Sequence, residues 1–163
     1  MTIFLIRTGG YQHQVDDVQA AIEWLRVEHG MRVVALIGHS MGGNVVLLHA
    51  AQHHVVPLIV NLSGRHHLER GIIQPSKAAD VAEFDGPDGA FTLRRKGKAF
   101  RITKASIAER LRTSMRVCVD IAASTRVLTV HGDADEVCIY EVGVASVVLG
   151  SSVFYFYAIF YYL

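Results

Sequence analysis

An excess of charge of either sign is absent from this 163-residue sequence: 16 Lys and Arg residues are offset by 15 Asp and Glu, for a net charge of +1. No global field would therefore draw the chain to nucleic acid or to an anionic bilayer, and neither is expected as a charge-selected partner. Cysteine is equally scarce. Cys118 and Cys138 stand alone, with no CxxC or metal-type spacing, which excludes a disulfide framework and fits a reducing, cytoplasmic location. The apolar run from Met1 to Arg7 is short and has neither a basic n-region nor a signal-length apolar stretch with a small-residue cleavage site, so secretion is not expected. There is no internal repeat and no low-complexity linker. A chain of this length can bury one substantial core, and a second independent domain is not expected.

What is present is apolar patterning, with 51% hydrophobic and only 19% charged residues. From Val15 to His29, apolar side chains recur at Val15, Val18, Ala21, Ile22 and Leu25, the spacing of one helix face, and Gly30 supplies a stop. Val33 to Ile37 is apolar without alternation, as expected of a parallel strand covered on both faces. A second helix is predicted from Gly43 to His53, followed by a strand within Val55 to Leu62 that has Pro57 near its start. Strand, helix, strand in this rhythm is a βαβ crossover. The pattern then loosens. Phe91 to Leu93 and Ala99 to Ile102 flank the basic turn Arg94-Arg95-Lys96-Gly97-Lys98 as a β-hairpin, a helix is predicted from Lys104 to Val119, and Arg126 to Gly132 reads as a last buried strand running into a turn. The loose stretch, about 65–120, is expected to be a small cap inserted over the sheet.

Between the first predicted strand and the second helix lies Gly38-His39-Ser40-Met41-Gly42-Gly43-Asn44. A G-x-S-x-G string at a strand-to-helix turn forces the serine into strained backbone, with Gly38 and Gly42 expected to leave room for the chain on either side. The strain lifts the Ser40 hydroxyl clear of the sheet, at a helix N-terminus whose dipole favours developing negative charge. The Met41 amide would point at that oxyanion. A phosphate-binding loop is excluded because no Gly-Lys-Ser/Thr ending follows, and a dinucleotide fingerprint because the middle position is Ser40. No cofactor is expected.

These residues resemble the α/β-hydrolase superfamily, most closely serine aminopeptidase S33-like and monoacylglycerol-lipase-like esterases, including plant members. Three stretches carry the resemblance: Gly9-Gly10-Tyr11 through Trp24; Gly38 to Leu48; and Val127-Leu128-Thr129-Val130-His131-Gly132-Asp133-Ala134-Asp135-Glu136. The resemblance implies a parallel sheet flanked by helices over 1–143, with Ser40 as nucleophile on a small-molecule carboxylic ester, acylglycerol or amide. It also implies Met41 as an oxyanion donor, Gly38, His39, Gly42 and Gly43 as the elbow, and Asp135 as the acid of the triad, with Asp133 as its competitor. The third member does not follow. The family order is Ser, acid, His, yet the last of nine histidines is His131. His39 belongs to the elbow, and His49, His53 and His54 lie on or after the next helix. Only His66 and His67 follow a strand and so reach the carboxyl edge; as a pair they also suggest a metal, but no third ligand at usable spacing accompanies them and no metal site is expected.

The strands and the His-Gly oxyanion loop that the family carries ahead of Gly10 cannot fit in nine residues, so the chain reads as truncated at both ends. This leaves a catalytically inactive family member as the alternative function. An apolar sheet edge and face would then be exposed, and self-association is expected. From Val144 to Leu163 no charge occurs, a length of about 20 residues that would span a bilayer. The tail is β-prone and aromatic and lacks a basic flank, so an aberrant end is favoured over a membrane anchor or an ordinary buried element. Membrane association is expected through this tail only. The basic turn at 94–98 is expected to be a solvated tip.

Overall fold

The structure, a computed structural model, describes residues 10–70, 84, 86, 89–95 and 98–132. The first helix, α1, runs Tyr11–His29, four residues earlier than the apolar face predicted. It stops where Gly30 takes the left-handed conformation at φ 60°, and the following amide, that of Met31, donates back to the Leu25 carbonyl at 3.0 Å. Its inner face buries Tyr11 and Val15, with Val18 and Ile22 packed beside them.

Strand β1 (Leu36–His39), helix α2 (Met41–His53) and strand β2 (Leu58–Leu62) make the expected crossover. Strands β3 (Ala90–Arg95) and β4 (Lys98–Thr103) form an antiparallel hairpin, Ala90 opposite Thr103. Helix α3 (Lys104–Arg112), a 3₁₀ turn at Met115–Asp120 and strand β5 (Arg126–Val130) complete the described chain. The main sheet has the order β1-β2-β5 and is wholly parallel, with Leu36 beside Ile59 and Ile59 beside Val127. The hairpin is a separate two-stranded sheet.

Two boundaries differ from the sequence expectation. The first strand is Leu36–His39 and not 33–37, because the ladder to β2 begins at Leu36↔Ile59 and leaves Val33, Val34 and Ala35 unpaired on the approach. The helix predicted through Val119 ends at Arg112. Thr113 and Ser114 leave helical geometry, the Ser114 hydroxyl accepts the Arg116 amide, and the tighter turn that follows buries Met115 against the core. Hydroxyl residues compete for backbone hydrogen bonds in this way. At its other end α3 has a reciprocal cap in which Thr103 and Ser106 each accept the other's amide.

Helix α2 is the axis of the core. Residues Gly43 to Ala51 are all buried, because α1, β1, β2 and the 3₁₀ turn each cover a side of it. A helix apolar all round is stable only when so enclosed. Val45, Val46, Leu47 and Leu48 pack with Ile59 and Leu68, each buried side chain contributing roughly 1.5–3 kcal/mol. At the other extreme β1 has no neighbour on its outer side among the described residues, and Ile37 is 68% and Val34 55% exposed. No helix among the described residues is long and apolar enough to cross a membrane, and the tail at 144–163 lies outside them.

A buried imidazole sits inside this core. His49 on α2 is fully buried, its Nε2 2.9 Å from the Gln19 side-chain oxygen on α1 and its ring stacked on His53 at 4.7 Å. Burial, reinforced by the neighbouring His53, pushes its pKa down from 6.5 to about 4. The unfolded chain therefore binds this proton more readily than the folded one. Stability is full above pH 6.5 and falls as pH drops through the window to about 4, by at most about 3 kcal/mol. Urea unfolding at pH 7 and pH 4.5 should record the loss, and a His49→Gln variant should flatten it.

Candidate functional site

Ser40 stands at the corner between β1 and α2 with φ 55° and ψ −120°. The relaxed left-handed region has positive ψ, as at His54, where φ is 52° and ψ 23°. Ser40 lies outside it, a conformation that costs a non-glycine residue about 1–3 kcal/mol. Its environment holds it there. The Ser40 amide donates to the Leu62 carbonyl at 2.7 Å, extending the β1–β2 ladder by one step, while its own carbonyl accepts the amides of Gly43 at 3.0 Å and Asn44 at 3.3 Å. Strand and helix both claim the residue, and the side chain is left exposed. The next amide, that of Met41, belongs to the first helical turn, where no intrahelical acceptor exists.

The glycines divide in a way the sequence does not reveal. A Cβ on Gly38 would overlap the Gly42 carbonyl, so this position is closed to any side chain. One on Gly43 would strike the Asn61 side-chain oxygen, as would one on Gly64. One on Gly42 would meet nothing within 4 Å, so the expectation that Gly42 makes room is corrected: its backbone is the obstacle, and Gly43 is the residue that needs to be small.

Two asparagines hold this corner, Asn44 at the end of the elbow stretch and Asn61, to which the sequence assigns no role. Both are 1% exposed. Asn61 accepts the Gly64 amide at 3.0 Å, and Asn44 accepts the Arg65 amide at 3.0 Å and donates from Nδ2 to the Arg65 carbonyl. They clamp the 61–65 turn against α2. The available signal was an asparagine within an otherwise apolar strand, Leu58-Ile59-Val60-Asn61-Leu62, since a buried amide persists only when its hydrogen bonds are made. Ser63 in that turn has φ 52°, and its amide donates to the Val130 carbonyl at 2.8 Å. The ends of β1, β2 and β5 are thus stitched side by side, with Ser40, Ser63 and the buried His131 following them along one carboxyl edge.

The other candidates are distributed unevenly. His39 is exposed beside Ser40, and Met41, partly exposed, receives the Gln14 side-chain amide on its sulfur at 3.5 Å. His66 and His67 follow β2 as expected. The His67 Nδ1 lies 2.9 Å from Glu69 and the two rings meet edge to face at 5.0 Å. Burial pushes the His66 pKa down, helped by His67 and Arg116. Among the described residues no imidazole nitrogen hydrogen-bonds the Ser40 hydroxyl. Asp133 and Asp135 lie outside the described residues. Burial raises the Cys118 thiol to about 11, the opposite of what a cysteine nucleophile needs. Among the described residues no three His, Cys, Asp or Glu side chains converge as metal ligands.

Comparison with known proteins bears on this arrangement. The sequence profile described as serine aminopeptidase, S33, matches residues 6–76. Among solved structures, Est1E from Butyrivibrio proteoclasticus with ferulic acid bound is similar at 21% identity and a TM-score of 0.61, over 82% of this chain and 52% of that one. The α/β-hydrolase GrgF from a Penicillium species is similar at 18% identity and 0.58, over 82% and 57%. The chain has the α/β-hydrolase fold. A monoacylglycerol lipase from Paleococcus ferrophilus shares the fold at 18% identity and a TM-score of 0.53, over 82% of this chain and 58% of that one. No curated protein matches. The chain spans about half the length of the solved structures it matches. Within this fold the parallel sheet, the flanking helices and the strand-to-helix corner at Ser40 stand as expected. The glycine pattern makes its own prediction: Gly38→Ala and Gly43→Ala should each destabilise the protein by more than about 2 kcal/mol, while Gly42→Ala should be within about 1 kcal/mol of wild type, measured by chemical denaturation.

Proposed function

We propose that this chain is a serine hydrolase acting on a carboxylic ester, acylglycerols and amides being the related substrates, with Ser40 as the nucleophile. The observation that carries the reading is the strained φ and ψ of an exposed serine at the N-terminus of a buried helix. Strain of this kind is retained where the surrounding structure over-determines it, and functional sites are where it concentrates. Attack by the Ser40 oxygen would place a tetrahedral oxyanion beside the first turn of α2, where the Met41 amide and the helix dipole stabilise it. Asp135 comes three residues after Gly132 and would stand at the carboxyl edge as the orienting acid. The hairpin and the helix after it are the cap that screens acyl groups.

Serine attack needs a base, and the family's His would follow Asp135, where this sequence has none. Among the described residues, His67 is an imidazole held by a carboxylate. Glu69, its carboxyl held below the ordinary range first by its own backbone amide and then by His67, is ionised at neutral pH and accepts from Nδ1. Nε2 then keeps its lone pair. We take His67 as the base available to Ser40. The competing reading is an inactive family member, and the absence of an imidazole hydrogen bond to the Ser40 hydroxyl among the described residues favours it.

A fluorophosphonate probe separates the two. The expected result is labelling at Ser40 that disappears in Ser40→Ala and slows at least about tenfold in His67→Gln. A cooperatively folded wild type that stays unlabelled would transfer the chain to the inactive reading, since loss of one triad member costs roughly 10⁴- to 10⁶-fold in rate.

A further inference from the structure

The ends of the parallel strands put a second hydroxyl beside Ser40. The Ser40 amide donates to the Leu62 carbonyl at 2.7 Å, and the peptide that carries this carbonyl ends on the amide of Ser63. The Ser63 amide in turn donates to the Val130 carbonyl at 2.8 Å. In the ladder His39 pairs with Leu62 and Leu62 with Val130, so Ser40 and Ser63 stand one step further on neighbouring strands, about 5 Å apart. Both come just after the last paired residue of their strands, at the carboxyl edge of the sheet.

Ser63 is kept in a conformation that suits glycine. Its φ is 52°, a region that residues other than glycine adopt rarely. Gly64 follows directly, yet it is the serine that takes the left-handed position. Two clamps hold the turn there: the Val130 carbonyl takes the Ser63 amide, and the Asn61 side chain takes that of Gly64 at 3.0 Å. Neither clamp uses the Ser63 hydroxyl, which hydrogen-bonds no described residue on a side chain that is only half-buried. The turn therefore needs no side chain at position 63. Enforced strain on a residue whose hydroxyl is left open, one strand away from a second strained serine, is the kind of feature that concentrates at functional sites.

One strand spacing is the reach such a hydroxyl needs. A tetrahedral carbon bonded to the Ser40 oxygen holds its leaving oxygen two bonds away, and a hydrogen bond of about 2.8 Å to that oxygen spans the remainder. The Met41 amide meets the oxyanion from the first turn of α2, whereas Ser63 stands on the β2 side, so the two donors serve different oxygens of one intermediate. An alkoxy oxygen accepts such a bond well, and a sulfur in its place accepts it weakly. The chemistry balances with the Ser63 proton kept throughout. The Ser40 oxygen bonds to the carbonyl carbon as its own proton passes to the imidazole base, and the carbonyl π pair moves onto the oxyanion. Collapse then breaks the bond from carbon to the leaving oxygen, as the imidazolium protonates the departing alcohol.

We propose that the Ser63 hydroxyl donates to the leaving oxygen of the acyl substrate, making it a catalytic residue that directs the site to oxygen esters over thioesters. The assignment rests on the serine-hydrolase reading. It is tested by measuring kcat/KM of the full chain for ethyl butyrate and S-ethyl thiobutyrate, with Ser63→Gly and Ser63→Ala beside wild type. Glycine fits a φ of 52° at least as well as serine, so a rate lost in that variant is not a lost fold. Hydrolysis of the oxygen ester should fall at least about tenfold in both variants, as expected for one hydrogen bond made in the transition state, and that of the thioester less than about threefold. A residue that only shapes the turn would move both substrates alike. Equal falls for the two substrates, or variants that keep the oxygen-ester rate, would overturn the role of Ser63, as would a wild type that hydrolyses neither. Fluorophosphonate labelling tells the failures apart: with Ser40 labelled the serine-hydrolase reading stands and Ser63 alone loses its role, and with Ser40 unlabelled both fall.

Discussion

The rest of the structure depends on a contact between two stretches of backbone. Gly38 at the end of β1 lies so close to the Gly42 carbonyl that no side chain fits between them. With strand and helix brought that near, the three residues between must turn sharply, and Ser40 takes a backbone conformation that few residues other than glycine adopt. The cost is met by the hydrogen bonds on both sides of the turn and by the burial of α2, from Gly43 to Ala51. A serine held this way has its side chain set by the backbone, with no need for other side chains to orient it. That economy suits a fold in which the sheet and one helix supply the geometry and loops supply the chemistry.

A second layer of constraint is polar. Asn44 and Asn61 are buried amides that spend their hydrogen bonds on backbone in the 61–65 turn, and Asn61 also fills the space left by Gly43 and Gly64. Each would be destabilising if left unsatisfied, by about 1–3 kcal/mol, so the turn and the helix specify each other. The same turn passes its order outward, because the loop it launches carries Leu68 into the core and presents its carbonyls to Arg110. The corner, the turn and α3 are in this sense one connected unit.

Much of this was legible in the residues. The periodicity of Val15, Val18, Ile22 and Leu25 marks α1, the paired apolar runs mark the parallel crossover, and the glycines around Ser40 mark the corner. Harder to read was where each element stops. Five apolar residues from Val33 to Ile37 are equally suited to a strand, and only pairing with β2 selects Leu36 onward. Arg112 to Val119 keeps helical composition, but Thr113 and Ser114 divert the backbone and the burial of Met115 completes the change. Local preference is weak against such contacts.

The sequence by itself determined that the chain would build a parallel α/β sheet and set a serine between glycines at a strand-to-helix junction, because hydrophobic period and glycine spacing are local properties. Which glycine is sterically required, which asparagines hold the neighbouring turn, and which arginine closes the loop after it were decided by tertiary structure alone. Those facts concern atoms from residues such as Asn44 and Arg65, or Leu68 and Arg110, that are far apart along the chain. Nothing in the order of amino acids states that they touch until the sheet and α2 have brought them together.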